Sequence, residues 1–197
     1  MNIGLYFGSF NPIHIGHLAL ANFIVEYTNL EQIWFVVSPQ NPLKQRAQLL
    51  DDYQRLHLVN LALRDFHKFR SCDVEFKMPK PSFTIDTLTY LHEQFPMHQF
   101  TLIMGEDNLG TLHKWKNFEL LLKNYKLIVY PRPNCQQTIF HSHPNVQLIN
   151  APQIDISSSF IRQSIADGKD VQFFVPEKSW QYISEMNFYK KPYKSEK

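Results

Sequence analysis

Residues 8–17 read GSFNPIHIGH, and they hold two of the chain's six glycines and two of its nine histidines. His14 and His17 are three apart where a helical apolar pattern begins, so both side chains point along one face. A helix start attracts anions through its unpaired N–H groups and its dipole. Two imidazoles there add donors suited to phosphate oxygens, and Gly16 between them leaves their face uncrowded. Two other readings of the pair stand beside this one. A His pair at this spacing also suits zinc, although no Cys, third His or Glu nearby completes a ligand set. The two also read as plain helix-face histidines. The stretch is neither the GxGxxG of dinucleotide-binding dehydrogenases nor the GxxxxGK[ST] of P-loop proteins.

The flanking elements place this stretch. The apolar run NIGLYF ends at Gly8 and reads as a buried strand, and HIGHLALANFIVEY predicts a helix from about His14 to Tyr27. QIWFVVS is a second strand, stopped by PQNP. LLDDYQRLHLVNLALRDF is a long amphipathic helix, and CDVEFK alternates as a strand does. PSFTIDTLTYLHEQF predicts a helix starting near Ser82 to Asp86, with Ser82 and Thr84 as caps. QFTLIMG, KLIVYPRP and NVQLIN read as further strands, and NFELLLKN as a short helix. ISSSFIRQSIADG is a hydroxyl-capped helix closed by Gly168, and PEKSWQYISEM a last helix opened by proline. PRPNCQQTIFHSHPN is the one irregular excursion. Strands alternating with helices predict an α/β fold, a Rossmann-like parallel sheet with helices on both faces. Residues 1–197 are expected to form one domain, with a helical C-terminal part from about 157. Gly8 to Pro12 then falls at the carboxyl end of the first strand, where such sheets bind ligands.

The 197 residues are 44% hydrophobic and 14% aromatic, a globular composition with formal charge +2. That balance gives no basic stripe and no argument for nucleic acid. Cys72 and Cys135 form no CxxC, so free thiols and a reducing compartment are expected. The N-terminus lacks the pattern of a signal peptide, and no apolar run approaches a membrane span, so the expected location is cytoplasmic. The basic tail YKKPYKSEK is expected to be a solvated end. The sequence leaves a homo-oligomer open.

GSFNPIHIGH resembles the [ST]-F-x-P-x-H-x-G-H signature of the HxGH nucleotidyltransferase superfamily, and ISSSFIR is similar to its second signature, I-S-S-T-x-[IV]-R. The two lie in that order about 140 residues apart. SPQNPLK, PSFTIDTL, MGEDNL and HKW narrow the likeness, over nearly the whole chain, to bacterial nicotinate mononucleotide adenylyltransferases. Phe7 stands where that family usually has a Gly, Asn11 where it often has Asp, and Ser159 where it has Thr.

The resemblance implies a nucleotidyltransferase-type fold and the joining of ATP to nicotinate mononucleotide, giving deamido-NAD and pyrophosphate. The nucleophile is a phosphate monoester already anionic at neutral pH, so no general base is needed. Positioning and charge stabilisation carry the catalysis. By resemblance His14, His17 and Arg162 meet the ATP phosphates, with guanidinium geometry suited to the β- and γ-phosphates. Lys44 resembles a phosphate-binding lysine. Gly8, Ser9, Phe10, Gly105, Asp107 and Ile156 to Ser159 are expected around ATP, with Asp107 accepting ribose hydroxyls. Ser82, Thr84, Lys114 and Trp115 are expected around nicotinate mononucleotide, the helix start meeting the pyridine carboxylate and Trp115 stacking on the ring. Mg2+ is expected on the ATP phosphates, with no protein ligand named. Relatives using nicotinamide mononucleotide, phosphopantetheine or a CTP-linked substrate are the nearest rivals. A nucleotide-sensing module without turnover is the rival of another class.

Overall fold

A computed structural model describes residues 1–39 and 49–190. Its centre is a six-stranded sheet, every neighbouring pair parallel, in the order β3-β2-β1-β4-β5-β6. The strands are β1 (Asn2–Gly8), β2 (Gln32–Val37), β3 (Phe69–Cys72), β4 (Gln99–Gly105), β5 (Lys126–Tyr130) and β6 (Val146–Leu148). Chain order reverses between β1 and β4, which opens a crevice at their carboxyl ends.

Alternation along the strands sorts the core. Tyr6, Ile33, Phe35, Val37, Ile103, Ile128 and Tyr130 face one layer. Ile3, Leu5, Trp34, Val36, Leu102, Met104, Leu127 and Val129 face the other. Both faces are apolar because both are covered. The first layer packs on α1 (Ile15–Tyr27) and α2 (Asp52–Leu63), and on α6 (Ser158–Ala166) and α7 (Glu177–Glu185) from the C-terminal part. The second packs on α3 (Thr84–Gln94), α4 (Glu106–Gly110) and α5 (Phe118–Asn124). Among the described residues no helix is long and apolar enough to cross a membrane.

Two expectations need correcting. CDVEFK is not a strand: β3 ends at Cys72, and Val74–Lys77 form a 3₁₀ turn. That turn buries Glu75, whose Oε1 accepts from the Thr87 hydroxyl of α3 at 2.8 Å. Secondly, α3 starts at Thr84 with Phe83 at its N-cap, and no side chain caps it. Neither Ser82 nor Thr84 is a cap. The excursion after β5 is irregular as expected, apart from a 3₁₀ turn at Ile139–Ser142. Most of the basic tail lies outside the described residues. Cys72 and Cys135 are both free thiols.

Candidate active site

A cleft of about 1330 Å³ opens over the carboxyl ends of β1 and β4. It exceeds the roughly 300–1,000 Å³ usual for one small ligand, and so has room for two. His14, Gly105, Asp107, Trp115 and Arg162 all line it.

The loop from β1 to α1 forms its floor. Phe10 takes a left-handed backbone, φ +43°, and drives its ring into the core at 2% exposure. There the ring meets Tyr6, Phe35 and His17 at centroid distances of 5.8, 5.5 and 5.1 Å. Its side chain therefore shapes the loop from beneath. A Cβ on Gly8 would stand 2.8 Å from the Phe10 ring, so glycine there admits that ring.

His14 is the N-cap residue of α1. Its ring stacks on His17, centroids 3.6 Å apart and 27° between planes. His14 N–H donates to Nδ1 of His17 at 3.2 Å, which in the neutral ring leaves the His17 proton on Nε2. His14 is only 5% exposed, and its Nδ1 has no hydrogen-bond partner among the described residues. Burial, helped by the Arg132 cation, lowers its pKa to about 4. A Cβ on Gly16 would stand 3.1 Å from that Nδ1, so the glycine makes room for the imidazole.

The second signature crosses to meet the first. Ser157 caps α6, its Oγ accepting from Phe160 N–H at 3.1 Å. Ser158 Oγ donates to the Pro12 carbonyl at 2.9 Å, across 146 residues of sequence. Arg162 Nη1 donates to the Asn11 carbonyl at 2.7 Å, and its Nη2 to Ser159 Oγ at 3.2 Å. All three serines thus have protein partners. Arg162 Nε is buried without a partner among the described residues, and burial lowers the guanidinium pKa. Ile156 lines the cleft beside them.

Across the crevice, β4 ends at Gly105, where any Cβ would collide with Asp107 Oδ1. The Asp107 side chain is 58% exposed, and its Oδ1 lies 3.9 Å from Arg132 Nε. Glu106 ties in the excursion: its Oε1 meets His141 Nε2 at 3.0 Å and its Oε2 accepts from Arg132 N–H at 3.4 Å. At the far end Ser82, Phe83 and Thr84 of the α3 start face the cleft together with Lys114 and Trp115. Trp115 is half-buried and packs on the second core layer. Lys116 pairs with Asp86 at 2.8 Å and stands over the Phe83 ring at 4.9 Å. The anticipated Lys44 lies outside the described residues, as does the rest of 40–48.

Sequence reading missed three residues here. Arg132 reaches the cleft just past β5, and the YPRP sequence at a strand's carboxyl end was its available signal. Arg55 is fully buried and gathers four carbonyls: Ser9, Ser38, Pro39 and Leu50 at 2.5, 2.9, 3.2 and 3.0 Å. It also binds Asp52 at 2.6 Å, so one guanidinium ties the ends of β1 and β2 to the start of α2. Tyr189 donates to Asn11 Oδ1 at 2.8 Å. No local pattern announces either contact. Among the described residues no group of three or more His, Cys, Asp or Glu could hold a metal ion.

The cytidylyltransferase-like family matches residues 5–164. A relative from Flavobacterium psychrophilum, named "Probable nicotinate-nucleotide adenylyltransferase", is 54% identical over 193 residues, 97% of this chain and 100% of its own length. One of the same name from Bacteroides thetaiotaomicron is 45% identical over 185 residues, 94% of this chain and 92% of its own. Among solved structures, Plasmodium falciparum nicotinic acid mononucleotide adenylyltransferase complexed with NaAD aligns with TM-score 0.77 at 24% identity, covering 95% of this chain and 97% of that one. That likeness shows the fold.

Proposed function

The chain belongs to the cytidylyltransferase-like family and, within it, to the nicotinate-nucleotide adenylyltransferases; from that premise we propose how its cleft joins ATP to nicotinate mononucleotide and releases pyrophosphate. The observation that carries the reading is the meeting of the two signatures, Arg162 and Ser158 hydrogen-bonded to the carbonyls of Asn11 and Pro12. It gathers His14, His17, Arg162 and the starts of α1 and α6 around the end of β1. That is a concentration of donors and positive dipole ends suited to a triphosphate.

The mononucleotide phosphate attacks the α-phosphorus of ATP, and the bond to the β-phosphate oxygen breaks. Negative charge builds on the departing pyrophosphate, so fixed donors have most to do there. His14, neutral in the free protein, keeps one ring N–H that can donate to a phosphate oxygen. Arg162 supplies permanent positive charge in a partly desolvated place. Lys44 is assigned a supporting role on the phosphates. Gly8, Ser9, Gly105 and Asp107 are assigned to the adenosine part, Asp107 as acceptor for ribose hydroxyls. Magnesium enters as part of the MgATP substrate.

The mononucleotide is assigned to the Phe83–Trp115 end. The uncapped start of α3 leaves its N–H groups to a ligand, which suits the pyridine carboxylate better than a serine-capped helix would. Asp86 would oppose that carboxylate, but its pairing with Lys116 offsets the charge. Trp115 and Phe83 offer aromatic faces to the ring.

The test is pyrophosphate release with a panel of phosphate acceptors: nicotinate mononucleotide, nicotinamide mononucleotide and phosphopantetheine with MgATP, and the acceptors of CTP-linked relatives with MgCTP. Turnover with the nicotinate form above the rest supports the reading. ATP binding without turnover on any acceptor would favour a sensing module instead.

A further inference from the structure

Asn11 is 2% exposed and joins three parts of the molecule. Its Oδ1 accepts from the Tyr189 hydroxyl at 2.8 Å and from Leu50 N–H at 3.3 Å, while its backbone carbonyl receives Arg162 Nη1 at 2.7 Å. The residue before it, Phe10, holds φ +43°, which a bulky side chain keeps only where its surroundings over-determine it. The turn that closes α7 is set in the same way. Asn187 and Tyr189 are both left-handed, φ +53° and +65°, and Phe188 between them is buried, its N–H bonded to the Ile183 carbonyl at 3.0 Å. Ser179 fixes α7 itself by donating to the Leu58 carbonyl of α2 at 2.8 Å. Core packing therefore aims Tyr189 at Asn11 from the far end of the chain.

We infer that Tyr189 is a positioning residue of adenylyl transfer: its hydroxyl holds the Asn11 side chain, and through Asn11 it fixes the carbonyl against which Arg162 is seated. The inference rests on the role proposed above for Arg162. Burial pushes the Tyr189 hydroxyl up, against the pull of Arg162 and Arg55, so it remains a protonated donor throughout the neutral range. Asn11 offers it a neutral acceptor, so the contact adds no charge beside the phosphate donors. A purely structural tyrosine would matter to stability alone. One that sets Arg162 matters to turnover in the folded protein.

The experiment measures kcat and KM for MgATP, with thermal melting, in Tyr189→Phe, Asn11→Leu and the double variant. Small displacements of a phosphate-holding group cost up to about a hundredfold, so Tyr189→Phe should lower kcat roughly ten- to a hundredfold at saturating substrates. KM for MgATP should stay within about threefold, and the melting temperature should fall by only a few degrees. Asn11→Leu, which deletes the acceptor from the other side, should lose at least as much. Tyr189→Phe added to Asn11→Leu should cost less than about a further twofold, because the contact is already gone. Wild-type kcat in folded Tyr189→Phe, or multiplying effects in the double variant, overturns the inference and leaves the parent reading standing. Should Tyr189→Phe not fold, a normal kcat in Asn11→Leu overturns it equally. A wild type that turns over no mononucleotide overturns both.

Discussion

His14 and His17 lie face to face, ring centroids 3.6 Å apart, with the backbone N–H of one bonded to Nδ1 of the other. Two imidazolium rings this close would repel, and burial already holds His14 neutral. The pair thus presents a neutral donor and a second ring whose orientation its neighbour sets.

If the pair and Arg162 stabilise charge on pyrophosphate, His17→Ala and Arg162→Ala should each lower kcat by roughly 10²–10⁴ with the fold intact. Steady-state kinetics with circular dichroism on the same samples checks this. Near-normal turnover in either folded variant would remove that residue from the mechanism.

His14 also gives a signed pH dependence. Its pKa falls from 6.5 unfolded to about 4 folded, so between those values the unfolded chain binds more protons. The contribution is complete above pH 6.5 and lost as the pH falls toward 4, amounting to about 3 kcal/mol for a shift of this size. Urea denaturation of wild type and His14→Gln across that window should show the wild type losing more stability. Parallel curves would contradict the burial argument.

Gly16→Ala should separate stability from activity. Alanine favours a helix by up to about 1 kcal/mol over glycine. The new methyl carbon would stand 3.1 Å from His14 Nδ1 and push the ring aside. The melting temperature should hold or rise while kcat falls roughly tenfold. Gly110→Ala, in α4 with nothing within 4 Å of its added carbon, should likewise hold or raise the melting temperature but leave kcat unchanged.

Arg55→Met should be costly to the fold. The variant strips buried carbonyls of their donor and leaves Asp52, among the described residues, with only the more exposed Lys80. Breaking a buried pair in this way costs about 3–5 kcal/mol, read as a lower urea midpoint at unchanged m-value. A midpoint within error of wild type would mean that water replaces the guanidinium.

Selectivity at the α3 end should favour the nicotinate mononucleotide over the nicotinamide form by roughly 10²–10³ in kcat/KM, from helix-end charge and unpaired donors together. Equal values would place the discrimination elsewhere. Trp115→Ala should raise KM for the mononucleotide more than KM for MgATP.

What the sequence made legible follows from how local each signal is. The sheet, α1 and α6 were readable because apolar runs, a glycine stop and a serine cap are short-range features. The position of His14, His17, Arg162 and Gly105 at the cleft is readable because two signatures and a strand end set it. CDVEFK misled because its alternation hides Glu75, a carboxylate buried by a hydroxyl twelve residues away. Ser82 and Thr84 misled because cap-forming residues stood near a helix start that uses neither. Arg132 left only the YPRP signal at a strand end, and Arg55 and Tyr189 left none, because their roles are defined by oxygens that only the folded chain brings near.

The contacts of Asn11 also impose a timetable on synthesis. A nascent chain that has left the ribosome through β6 already owns every strand of the sheet, and domains begin folding as they emerge. Arg162 and Tyr189 have not yet emerged, so its first loop waits for partners that lie 151 and 178 residues further along the chain. The emerging polypeptide thus completes its strands before that loop is secured, and a ribosome stalled between those points would carry a sheet whose first face still lacks α6 and α7.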